Sequence, residues 1–201
     1  MPSKDSSSEF SEEIRHKLSL LLGNPSYFKL EGFTVLPHNG MIFGIREIGE
    51  DFVDFSYVIK IVFVTYTEDR KRERIFLNDD FKLIYNFTPK ENLKQFDKLG
   101  LSSLEWDGFN KRILLITSYE NGDEDLGAYL WKLSLEDLFH NKPPTLFVDE
   151  SGNVFDFNHK AEGIAVIDSK RAIVIHDDDK DLNFEKEKRK PNEAFYSLID
   201  Y

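Results

Sequence analysis

Hydrophobic and polar positions follow two different spacings along this chain. Near the N-terminus the apolar residues lie three or four positions apart, which predicts one face of a helix: Phe10, Ile14, Leu18 and Leu21. Gly23 and Pro25 would end that helix, although the apolar run 18–22 also fits a buried strand. Residues 1–13 begin with a small, polar, Ser-rich stretch, and we expect them to form a disordered tail.

From about residue 30 the apolar positions alternate with polar ones, and one pattern occurs three times. When Glu31, Ser102 and Glu162 are aligned without gaps, each copy contains a short apolar strand, a turn with Gly, Asn or Asp, and a second apolar strand. This pattern predicts a β-hairpin in each copy. Third strands are expected at 56–61, 128–133 and 194–199, and fourth strands at 81–87 and 145–148.

The three hairpins predict an all-β fold built from antiparallel, four-stranded repeats, about three blades of a β-propeller. The copies begin 71 and 60 residues apart. We expect a single propeller-like domain over residues 14–201, with blades at about 30–88, 100–149 and 160–201.

Three blades are too few for a closed ring, because propellers typically have about 4 to 8. An open stack would expose two apolar flanks. Two solutions follow from this. The chain is a partial propeller, shortened relative to a longer protein, or it is half of a six-bladed homodimer. In the dimer, residues 17–22 would supply the missing outer strand of the partner's last blade.

Composition narrows the set of partners. The net charge of −11 argues against nucleic acid, because binding a phosphate backbone needs clustered Lys and Arg. No apolar stretch approaches the roughly 18 residues of a membrane span. The chain has no cysteine and no signal-peptide pattern at its start, so we expect a cytoplasmic location and a protein or small-molecule partner.

The aligned position of the three hairpins carries the candidate chemistry. In a propeller the first strand of each blade lines the central channel, so Glu31, Ser102 and Glu162 would converge there. Such a set suits Ca²⁺ or Mg²⁺, with Glu31 and Glu162 as metal ligands. The same carboxylates could perform acid–base chemistry, or each could cap the backbone of the next blade. Gly32 and Gly163 would allow close backbone approach.

A second aligned position lies at the end of the second strand, where the gapless alignment places Arg46, Thr117 and Asp177. Arg46 could bind a small anionic ligand through two hydrogen bonds. Alternatively it bridges strands by pairing with an acidic residue: Glu31, Glu47 or Glu162. Asp177 begins an acidic run that could contribute to a metal site, although acids in such loops are commonly solvated or form turns.

Five segments in this order also resemble a known family: LEGFT at 30–34, MIFGIR at 41–46, LGLSSLEW at 99–106, KAEGI at 160–164 and HDDD at 176–179. The chain resembles the bacterial domain-of-unknown-function family 3616 over roughly residues 28–180. The resemblance implies a propeller-like fold, similar in style to esterase-like phytase and gluconolactonase-type propellers. The family has no established activity, so the resemblance bears on the fold more than on the function.

Two classes of function remain after these observations. The first is a ligand- or protein-binding propeller-like module. The second is a metal-assisted hydrolase of small ester, lactone or phosphate substrates at the channel mouth. The sequence contains no Gly-x-Ser-x-Gly elbow, no phosphate-binding Gly-rich loop and no His-Glu-x-x-His motif, which favours the binding module.

Overall fold

The computed structural model describes residues 4–90, 93–121, 125–177 and 193–201, with side chains from residue 12 onward. The fold is all-β, with three antiparallel sheets, two α-helices and one 3-10 helix (Phe96–Lys98) in the described part. The α-helices are α1 (Lys4–Leu21) and α2 (Leu135–Phe139). The first sheet contains β1 (Tyr27–Leu36), β2 (Gly40–Gly49), β3 (Phe55–Asp69), β4 (Arg74–Leu77) and β5 (Lys82–Phe87). The second contains β6 (Gly100–Asp107), β7 (Arg112–Glu120), β8 (Leu126–Ser134), β9 (Thr145–Leu146) and β10 (Asp156–Phe157). The third contains β11 (Ala161–Val166), β12 (Arg171–His176) and β13 (Tyr196–Asp200).

Helix α1 covers part of the outer face of the first sheet. Its buried Leu18 packs against Phe28, Ile45 and Val62 of that sheet. The helix begins at Lys4, inside the range 1–13 for which we expected a disordered tail, and the apolar run after residue 17 is helical. Residues 17–22 therefore do not form the strand expected to complete a partner's blade. Over the described residues, no helix has the length and apolar character that crossing a bilayer demands.

The three predicted hairpins are present as β1–β2, β6–β7 and β11–β12. The gapless alignment is wrong by one residue in the second hairpin. Leu36 pairs with Gly40 across the first turn, whereas Asp107 pairs with Arg112 across a longer one. At the end of the second strand, Ser118 and not Thr117 therefore lies at the position that corresponds to Arg46 and Asp177 in the other two hairpins.

Additional strands lie along the outer edge of the first two sheets. Both β4 and β5 pair with successive parts of β3, which is long enough to serve two partners. In the same way β9 and β10 pair with β8. The strands expected at 81–87 and 145–148 correspond to β5 and β9. The third sheet has three strands among the described residues.

The three sheets stack face to face in a row, with their first strands next to one another. Strand β6 contacts β1 on one side and β11 on the other. The larger core lies between the first two sheets, around residues such as Ile42, Leu101 and Trp131. A second core joins the other face of the middle sheet to the third sheet, through Leu114, Ile116 and Val174 among others. The middle sheet is thus buried on both faces, and the described sheets form an open stack.

Candidate functional site at the first strands

Each first strand contains a β-bulge at the position that the sequence alignment singled out. The register shifts around Glu31 in β1, around Ser102 in β6 and around Glu162 in β11. A bulge inserts an unpaired residue and re-aims its side chain. Because β6 contacts both β1 and β11, the three bulges lie at corresponding positions of three neighbouring strands.

Arg46 joins the first two sheets at this point. Its side chain is buried, with the residue 2% exposed. Its Nη1 donates to Ser102 Oγ at 2.6 Å and to Ser118 Oγ at 2.9 Å. Glu31 Oε2 and Glu47 Oε1 each lie 3.5 Å from the guanidinium. Arg46 therefore bridges the first two sheets through Ser102 and Ser118, while its acidic partners Glu31 and Glu47 lie in its own sheet. A role of Arg46 in binding an anionic ligand remains a prediction.

A glycine in the second sheet makes room for this arginine. A Cβ at Gly100 would lie 2.8 Å from Arg46 Cγ and 2.8 Å from Tyr57 Cδ1. Arg46 also lies over the Tyr57 ring, with Cζ 5.1 Å from the ring centroid. Gly100 occupies the position where the other two hairpins have Lys29 and Lys160. Because glycine has no side chain, the middle strand leaves room for Arg46 at this position.

The two lysines pair with the two bulged glutamates. Lys29 Nζ lies 2.5 Å from Glu31 Oε1, and Lys160 Nζ lies 2.8 Å from Glu162 Oε1. Lys160 also faces Glu120 at 3.6 Å. Burial alone would lower the pKa of Lys160, but the hydrogen bond and charge of Glu162, together with the charge of Glu120, outweigh it and the pKa is raised. The lysine therefore stays charged and neutralises the glutamate beside it.

Glu47 extends the network toward the edge of the first sheet. The Tyr27 hydroxyl donates to Glu47 Oε2 at 2.7 Å. Burial and this hydrogen bond raise the pKa of Tyr27 to about 12. The phenol therefore stays protonated at neutral pH and acts as a donor that helps hold a mostly buried carboxylate.

Glu31 and Glu162, the predicted metal ligands, thus each form an ion pair with a lysine of the same chain. Within the described ranges, the structure contains no group of three or more His, Cys, Asp or Glu side chains arranged to hold a metal ion. The Asp177 backbone N–H donates to the Lys160 carbonyl at 2.9 Å, which ties the end of β12 to the start of β11. The acidic residues 178 and 179 lie outside the described residues. A Ca²⁺ or Mg²⁺ site at Glu31 and Glu162 remains a prediction.

Sequence reasoning missed several members of this network. The two Lys-x-Glu triplets, at 29–31 and 160–162, were visible in the sequence as a repeated signal. Ser118 was missed because the longer turn shifts the alignment. A pair in the third sheet was missed as well: His176 Nε2 lies 2.8 Å from Ser197 Oγ, and the His176 ring contacts Phe157 across the interface between sheets. That placement between two sheets is typical of a buried polar contact.

Comparison with known proteins yields no relative. No family model, no curated protein and no solved structure matches the chain. The resemblance to family 3616 and the cytoplasmic location therefore remain predictions.

Proposed function

We propose that this chain is a protein-binding module built as three blades of a β-propeller. The adjacent first strands, the three hairpins and the extra outer strands of two sheets all support a blade-like arrangement. Neighbouring blades of a propeller cover each other's faces, and an open stack leaves its two end faces available.

The observation that carries the proposal is the contrast between the ends of the stack and its polar site. The polar side chains at the bulges are engaged by partners within the chain. By contrast, the outer face of the third sheet exposes large apolar side chains, including Tyr196 at 65% and Leu198 at 52%. Clustered apolar side chains on a surface mark interaction sites, so the end faces are better suited to a partner than the buried bulges are to a substrate.

The alternative, a metal-assisted hydrolase, would need Glu31 and Glu162 as ligands. A divalent cation there would have to displace Lys29 and Lys160, which lie at salt-bridge distance from the same carboxylates. No contact in the described residues favours that exchange, so the binding module is the function we infer.

Thermal melts with and without divalent cations test this choice. For the binding module, we expect the same Tm in chelator and in Ca²⁺, Mg²⁺, Mn²⁺ or Zn²⁺, because no ion binds the native state selectively. Glu162→Gln should lower the free energy of unfolding by about 1 kcal/mol, roughly 2–4 °C in Tm, equally in all conditions. The reason is the loss of one partner of Lys160.

Glu68→Gln is a matched control, since Glu68 also pairs with a cation, the exposed Arg70. It should leave Tm unchanged within error, because exposed ion pairs contribute little. A Tm that rises with the concentration of one ion in the wild type, and not in Glu162→Gln, would overturn the binding module in favour of a metal site.

A further inference from the structure

The outer face of the third sheet is apolar along two neighbouring strands. In β12 and β13 alternate residues face the middle sheet, among them Ala172, Val174 and Ile199. The intervening residues face away, because side chains alternate across a strand, and those that are exposed and apolar include Ile175, Tyr196 and Leu198. Asp200 shares this outer face with Tyr196 and Leu198. One end of the stack is therefore an apolar sheet face, with Asp200 and its cross-strand neighbour Arg171 at its margin.

The opposite end of the stack carries a groove beside helix α1. Its volume is about 590 Å³. It is mainly apolar, with two cationic residues and one anionic residue in its lining, which consists of Glu12, Ile14, Arg15, Leu18, Phe28, Lys29, Leu30 and Phe43. The exposed apolar surface continues along β1 at Phe33 and Val35. The helix covers one part of this end and leaves the rest open.

We propose that these two end faces bind each other between two copies of the chain. The outer face of the third sheet of one copy packs against the groove and the adjoining β1 surface of the other. Each copy offers both faces, so two such contacts close a two-fold ring of six sheets, a number at which propellers close. This pairing rests on the proposed function, because it names the partner of the same end faces.

Two features favour a second copy as the occupant. The contact repeats the sheet-on-sheet packing that the chain already uses twice, between its first and second and its second and third sheets. The margins offer one pair of opposite charges, Asp200 at one end and Arg15 at the other. The cross-strand neighbour of Asp200, Arg171, is already paired with Asp168, and Lys29 is already paired with Glu31. Opposite charges at a rim fix the register of an interface and steer association.

Sedimentation equilibrium over a wide dilution series tests the pairing. The wild type should give a mass of twice 23.5 kDa, falling toward 23.5 kDa only on dilution. Leu198→Glu, on the third sheet, should shift this dissociation to at least tenfold higher protein concentration. Leu30→Glu, in the groove, should do the same. Ile75→Glu is the matched control, because Ile75 and Leu198 are both 52% exposed and Ile75 lies on the β3–β4 hairpin outside the groove.

Mixing the two variants identifies the faces that meet. Leu198→Glu retains an intact groove and Leu30→Glu retains an intact third sheet, so an equimolar mixture should recover dimer that neither variant forms alone at the same concentration. Recovery would not occur if the third sheets of two copies paired with each other. Asp200→Arg should weaken the dimer, and adding Arg15→Glu in the same chain should restore part of the affinity. Circular dichroism of each variant checks that it is folded.

A wild type that stays at 23.5 kDa at every concentration would overturn the pairing and leave another protein as the partner of these faces. So would a Leu198→Glu variant that is folded and as dimeric as the wild type. The metal-dependent Tm rise described above would instead overturn the proposed function, so the two failures are distinguishable.

Discussion

Replacing Arg46 by methionine is expected to lower the free energy of unfolding by about 3–5 kcal/mol, the usual cost of removing one partner from a buried ion pair. Methionine fills part of the space, but it leaves Glu31 and Glu47 with Lys29 in place of two cations. It also removes the N–H donor that Ser102 and Ser118 share, so the two buried hydroxyls bond only to each other. Both glutamates have little access to water that could replace the arginine. Urea unfolding followed by circular dichroism measures the change.

The control is Arg70→Met, which removes an arginine paired with Glu68 on an exposed turn. It should change the free energy of unfolding by less than about 0.5 kcal/mol. A double-mutant cycle separates the ion pair from the loss of packing. Glu31→Gln should cost clearly less in the Arg46→Met background than in the wild type. If Glu31→Gln lowered the free energy of unfolding equally in the two backgrounds, Arg46 and Glu31 would not be coupled, contrary to the observed ion pair.

Gly32→Ala is expected to lower the free energy of unfolding by about 2–4 kcal/mol. Gly32 has a φ of +103°, a region that L-residues occupy at a cost of about 1–3 kcal/mol. A Cβ there would lie 2.8 Å from Leu101 Cδ2 and 3.3 Å from the Leu104 backbone nitrogen. Since Leu101 is fully buried between two sheets, it cannot move away without disturbing the core. Chemical denaturation again gives the size of the effect.

Gly163→Ala is the matched control, because Gly163 follows Glu162 as Gly32 follows Glu31. A Cβ at Gly163 would meet nothing closer than Ile175 Cβ at 4.0 Å, and its φ is not positive. We expect a change of less than about 0.5 kcal/mol. Equal losses of stability in the two alanine variants would mean that Gly32 is not packed tightly against Leu101, contrary to the structure.

These two expectations bear on function as well as on stability. In both cases the bulged site is a junction that holds the first sheet against the second through contacts of Arg46, Gly100 and Leu101. Most substitutions at such a junction are expected to lower the stability of the fold. Loss of binding after mutation there would therefore not demonstrate direct contact with a partner. Variants at Leu198, on the third sheet, probe an end face away from the junction.

Much of the candidate site was predictable because local spacing reveals it. Glu31, Ser102 and Glu162 stand out in a simple alignment of the hairpins, and they are the residues at the three bulges. Their chemical setting was not predictable. Arg46 reaches Ser118, which is 72 residues away in the chain, and no local pattern reports which side chains meet across a sheet interface.

The sequence by itself determined the all-β class and the three hairpins and indicated an N-terminal apolar face with helical spacing, since periodicity of two or of 3.6 residues is a local property of the chain. Only the tertiary structure decided that residues 17–21 form a helix rather than a strand, because that choice depends on packing against Phe28, Ile45 and Val62. It also decided that Gly32 is packed tightly while Gly163 has room. The physical reason is that the faces of the first and third sheets meet different neighbours, and burial depends on those neighbours rather than on the residues beside each glycine.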